Sequence, residues 1–295
     1  MIHTYLRAVG FRNIQKTKDL YVLLEDVINH ADRQSVQDDP DGNILLECRK
    51  AYGSDIGIAV CGDYLENNEF HMDYYYPYLI SRGVTTEEPV DIERHALTES
   101  FAGVCDDLRL GVTLIFYVQN GIDVLRERKK CGYYRGGMNV TLSALAMFGS
   151  VLLPIQKSDE QIRQMQEADQ KRIQLIADAR NGDQGAMENL SLADMNSYNV
   201  ISKRIQTEDV FSIVDSTFMP VGVESDQYSI LGEILECIRI ENDVTGEGIW
   251  VMAVSCNYVN FQICINEKDL LGEPKPGRRF RGRIWLQGYI NYDAV

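Results

Sequence analysis

A chain of 295 residues, 45% hydrophobic and 25% charged, is long enough for one large or two ordinary domains and needs no disulfide or metal to complete a core. Its 44 acidic and 29 basic side chains leave a formal charge of −15, which argues against a broad nucleic-acid or membrane-surface footprint. Seven cysteines without a CxxC pair, and an opening without an apolar signal segment, read as reduced thiols in the cytoplasm.

In chain order, Leu20, Leu23, Leu24, Val27 and Ile28 share one face of an expected amphipathic helix over 19–31. The polar run 37–42 reads as a turn, Asp39, Asp41 and Gly42 matching a calcium loop too poorly to bind an ion. Strands are expected over 43–51, 55–61 and 69–80, spaced as a meander. A helix is expected over 91–108, then a hairpin of 111–118 and 122–126 turning at Gln119-Asn120-Gly121. The uncharged run 138–155 is diluted by Asn139, Ser143 and Pro154, so it reads as a buried core helix and not a membrane span.

Composition turns polar at 156. Ser158 and Gln161 are spaced as a capping box for a helix over 158–180, which carries a thin stripe of Ile162, Met165, Ile173 and Ile176 and stops at Asn181-Gly182. Further helices are expected after Ser191 and Thr207. Beyond Pro220 the chain is strand-rich, over 228–240, 248–256, 259–265 and 278–292. The expected class is α+β: a mixed α+β domain (1–156), a helical connector (157–220) and a small antiparallel β-barrel of OB type (221–295).

Several stretches resemble an uncharacterised family of clostridial proteins with a domain of unknown function. They are His3-Thr4-Tyr5-Leu6-Arg7-Ala8-Val9-Gly10-Phe11 at the start, and Phe218-Met219-Pro220 and Glu224-Ser225-Asp226-Gln227-Tyr228 further on. Most recognisable are Asp269-Leu270-Leu271-Gly272-Glu273-Pro274 and Gly277-Arg278-Arg279-Phe280-Arg281-Gly282-Arg283-Ile284-Trp285-Leu286-Gln287-Gly288. The resemblance spans most of the chain. It implies a bacterial cytosolic protein of unknown function and carries over no active-site residue.

No phosphate loop, dinucleotide fingerprint, HExxH or GxSxG motif is present in the sequence. The four histidines, His3, His30, His71 and His95, have no paired spacing, so neither a metal nor another cofactor is expected. Gly136 and Gly137 with Arg135, ahead of the apolar run, could cradle an anion or simply form a loop. Tyr74, Tyr76 and Tyr78 alternate onto one strand face, as a stacking platform or as ordinary strand residues.

The last strand carries the most information. Phe280, Ile284 and Leu286 should face inward, leaving Arg279, Arg281, Arg283 and Trp285 on the opposite face. That face suits phosphate and base contacts, or else its arginines pair with acids such as Glu233 or Glu247. Two functions follow. The first is a non-enzymatic binding or assembly protein with a protein partner or its own copy. The second, less favoured, is a nucleic-acid or nucleotide binder using the Arg279–Trp285 face.

Overall fold

The computed structural model describes residues 2–38, 44–64, 70–83, 85–94, 100–107, 109–110, 112–131, 138–156, 158–223 and 225–292. The expected turn residues Asp39, Asp41 and Gly42 lie outside this set, as do the loop residues Arg135, Gly136 and Gly137. The class is α+β. A 3-10 turn at Thr4–Val9 is followed by helix α1 (Thr17–Asn29), whose Leu20, Leu23, Leu24 and Val27 are buried as their spacing requires. Strands β1 (Arg33–Asp38), β2 (Ile44–Gly53), β3 (Ile56–Tyr64) and β4 (Phe70–Leu79) form a four-stranded antiparallel meander. The last three correspond to the expected strands.

The next segments differ from their expectations. The described residues of 91–108 are not helical: β5 (Val90–Arg94) and β6 (Phe101–Asp107) lie there, followed by β7 (Val112–Val118). The small residues Ala102, Gly103 and Cys105 hide the alternation of β6, where Gly103 lies beneath the Phe116 ring. After β7 the chain does not turn into a second strand. Asn120 uses its side-chain amide to pair with the Ile290 backbone in both directions (2.9 Å each), and helix α2 (Gly121–Cys131) starts instead.

Residues Met138–Leu152 form strand β8, not a helix. Val140, Leu142, Ala144 and Ala146 enter one core, and Leu145 enters a second core on the other side. Residues 138–143 do alternate apolar with polar, but over Ala144-Leu145-Ala146, buried on both faces, the alternation is lost and the uncharged run reads as continuous. That is why the period misled.

Helices α3 (Asp159–Arg180), α4 (Gln184–Arg204) and α5 (Val210–Ile213) make up the connector. The capping box is formed: Gln161 N donates to Ser158 Oγ, and Ser158 N donates to the Gln161 side chain. The second helix starts at Gln184, before the expected Ser191. No helix among the described residues is long and apolar enough to cross a membrane.

The remaining strands are β9 (Thr217–Pro220), β10 (Gln227–Glu241), β11 (Gly248–Cys256), β12 (Val259–Asn266), β13 (Leu270–Leu271) and β14 (Arg279–Tyr292). A two-residue turn, with Asn257 at φ 50° and Tyr258 at φ 65°, joins β11 to β12. The pairings β10–β11, β11–β12, β12–β8, β8–β14 and β14–β10 close on themselves, with β12–β8 the parallel step. Segment 221–295 alone supplies four strands of this circuit, and the fifth comes from 138–152. Strands β7, β6 and β5 extend the sheet outward from β14.

One core fills the circuit and contains Phe280, Ile284 and Leu286, the expected inward set. The other lies between the meander, α1 and the outside of the circuit, where Leu145, Ile249, Val251, Cys264 and Trp285 pack. Buried amides stitch the two units. Gln119 Nε2 donates to Gln287 Oε1 (2.7 Å), and Gln287 Nε2 donates to the Pro77 carbonyl (2.9 Å).

Candidate functional site

A cleft of about 1010 Å³ opens between α3 and the rim of the strand circuit. Met165, Ile173 and Ile176 form its helical wall. Leu110, Pro154 and Tyr258 stand opposite, and Arg279 lies at its floor. The helical wall is the thin stripe expected from sequence: α3 buries its other contacts mainly against α4, and Arg180 Nη1 donates to the Asp106 carbonyl. The rim is held by Asp107, which is almost fully buried and paired with Arg109. Burial alone would raise the Asp107 carboxyl, but the Arg109 hydrogen bonds and charge outweigh it and hold the group below its ordinary range. Arg109 in turn donates to the Thr85 carbonyl (2.8 Å) and the Tyr258 carbonyl (3.3 Å).

The four residues of the expected binding face do not share one exposed surface. Arg279 is buried, and its guanidinium donates to the carbonyls of Leu153 (3.0 Å), Val214 (3.0 Å) and Phe211 (2.7 Å). It thereby clips the end of the connector to β14. Glu233 sits opposite Arg279 in the strand register, whereas Glu247 lies elsewhere and accepts from Asn266. Arg281 is exposed, with its guanidinium 4.5 Å from the Phe211 ring centroid.

Trp285 is buried. Its Nε1 donates to Asp226 (2.6 Å), and its ring meets those of His3 (4.8 Å), Tyr5 (5.5 Å) and Tyr117 (5.2 Å). Arg283 is half-buried beside them, and its Nε has no hydrogen-bond partner. The alternation along the strand was legible. What covers it was not, because the cover comes from the opposite end of the chain.

The tyrosine face points inward. Tyr76 and Tyr78 are buried, and Tyr74 stacks on Tyr76 at 6.4 Å. Tyr76 belongs to a polar network that the sequence did not suggest. Arg49 Nε donates to Glu47 Oε1 (2.7 Å), and Arg49 Nη2 reaches the Tyr76 hydroxyl (3.0 Å) and the Gln119 carbonyl (2.5 Å). The Tyr76 hydroxyl lies 2.8 Å from Glu47 Oε2. Burial opposes the charge on Arg49, but Tyr76 and Glu47 reverse this and push its pKa above the ordinary range.

Cys61 adjoins the network, its Sγ 3.7 Å from Glu47 Oε2, and burial and that carboxylate push the thiol up. A thiol held protonated next to a carboxylate is a poor nucleophile. The recess here has a cavity of about 20 Å³, room for one water. The network ties the meander to the residue that follows β7 through the Gln119 carbonyl.

Fold and site together define an α+β architecture: a closed circuit of strands, a docked meander, and a helical arm that walls a cleft. The chain belongs to a family described as "Domain of unknown function, E. rectale Gene description (DUF3881)", whose model matches residues 6–288. No curated protein and no solved structure matches the chain.

Proposed function

We propose that the chain is a non-enzymatic cytoplasmic binding or assembly protein, and that a polypeptide partner or a second copy docks in the cleft between α3 and the strand circuit. The observation that carries this reading is the cleft itself, of about 1010 Å³ with a helical apolar wall facing a mixed polar rim. The exposed Met187, Leu192 and Met195 of α4 extend the apolar surface of the same arm. Cys48, Cys61, Cys105, Cys237, Cys256 and Cys264 are all free thiols, in keeping with a reducing compartment. In this reading the strand circuit is a small barrel of OB type that borrows β8, and 157–220 is the arm that forms one wall. A nucleic-acid or nucleotide ligand on the Arg279–Trp285 face has less support, because Arg279 and Trp285 are buried.

Photo-crosslinking in native cytosol tests it. A photoreactive side chain at Met165 or Ile176 should capture one discrete protein, while the same group at the exposed Val244 should not. Equal labelling from all three positions, or none from the cleft, overturns the reading.

A further inference from the structure

We propose that Asp63, His71 and Asp73, on the β3–β4 hairpin, form a binding site for a divalent transition-metal ion of the zinc type. Asp63 and His71 are directly opposite in the antiparallel register, which puts their side chains on one face. An irregularity between Cys61 and Gly62 leaves Asp73 as an extra residue between paired Met72 and Tyr74, and it joins them. One ligand atom from each residue lies within 4.8 Å of the other two. His71 Nδ1 is 3.5 Å from Asp63 Oδ1 and 3.3 Å from Asp73 Oδ1. Two ligands on one tetrahedral ion with bonds of 2.0–2.1 Å stand roughly 3.3–3.4 Å apart, so the two His71 spacings are those of ligands to one ion, with the two carboxylates close enough to draw in on binding.

A second observation points the same way. Asp63 Oδ1 is shielded from solvent and accepts no hydrogen bond. A carboxylate oxygen that has lost water and gained no donor costs free energy, and a cation in front of it removes that cost. The imidazole supplies Nδ1 in its neutral form with Nε2 protonated, and the mixed nitrogen and carboxylate set suits zinc or cobalt better than calcium or magnesium. Three protein ligands leave a fourth position for water or for a group on a partner.

Cobalt(II) titration of the full chain is the test. A d–d absorption of tetrahedral type should grow to one equivalent without a thiolate charge-transfer band, and zinc should abolish it by displacement. His71→Ala and Asp63→Asn should each remove the band. Cys237→Ser should leave it unchanged. No band at excess cobalt, a band that survives both hairpin variants, or one dominated by thiolate charge transfer overturns the proposal.

Discussion

Arg49 and Glu47 are each about 6% exposed, so removing either charge strands the other in a seam with little water. Glu47→Gln or Arg49→Met should lower stability by about 3–5 kcal/mol in urea unfolding. The double variant Glu47→Leu with Arg49→Met should cost clearly less than the sum of the two, because it leaves no uncompensated charge. His3 makes a pH prediction at the same scale. Burial against Trp285 pushes its pKa down to about 4, so the folded state resists the proton that the unfolded chain accepts near 6.5. Stability from this group is full above pH 6.5 and is lost as pH falls from 6.5 through 4, by at most about 3 kcal/mol. Comparing denaturant midpoints at pH 7 and pH 4.5 should show a smaller drop for His3→Asn than for the parent chain.

Between β8 and β14 the register places Gly149 opposite Gly282, and both backbones press on Phe280. A Cβ at Gly282 would lie 2.8 Å from the Phe148 carbonyl, and one at Gly149 would lie 3.2 Å from the Arg281 carbonyl and 2.4 Å from the Phe280 ring. Gly149→Val should therefore cost several kcal/mol, on the order of 3, and lower the thermal midpoint; Gly185→Ala, in the first turn of α4 where a Cβ would meet only the capping Asp183 Oδ1 at 3.2 Å, should be far milder. Elements with a polar side were legible in the sequence. The α3 capping box, the α1 face and the start of β12, where exposed Asn260 lies between buried Val259 and Phe261, show their pattern because one side meets water. Strand β8 shows a period of two only over 138–143 and loses it at Ala144-Leu145-Ala146, where both sides are buried. Asn120-Gly121 misled for a related reason: the amide that usually shapes a hairpin turn is spent on the Ile290 backbone, a partner far along the chain. The Asp63–His71–Asp73 group was invisible for the same reason, since it forms only when the hairpin is in register with its irregularity.

At the scale of the whole molecule, the cleft wall was legible as the stripe of α3, but the opposing rim was not, because 109–110, 154–155 and 255–258 come together only when the circuit forms. The fragment 157–295 lacks β8, which would leave β12 and β14 each with an open edge. Expressed alone it should fail to give cooperative unfolding, and co-expression with 1–156 should restore it; a cooperative, monomeric 157–295 would show that the circuit does not need its fifth strand. The parallel and long-range pairings of β8 also set an order of events during synthesis. Strand β8 emerges from the ribosome well before β12 and β14 exist to receive it, uncharged and with Val140, Leu142, Ala144, Leu145 and Ala146 destined for the two cores. The growing chain therefore passes through an interval in which its stickiest segment has no native partner, and its yield in a cell will depend on how that interval is guarded more than on the stability of the finished fold.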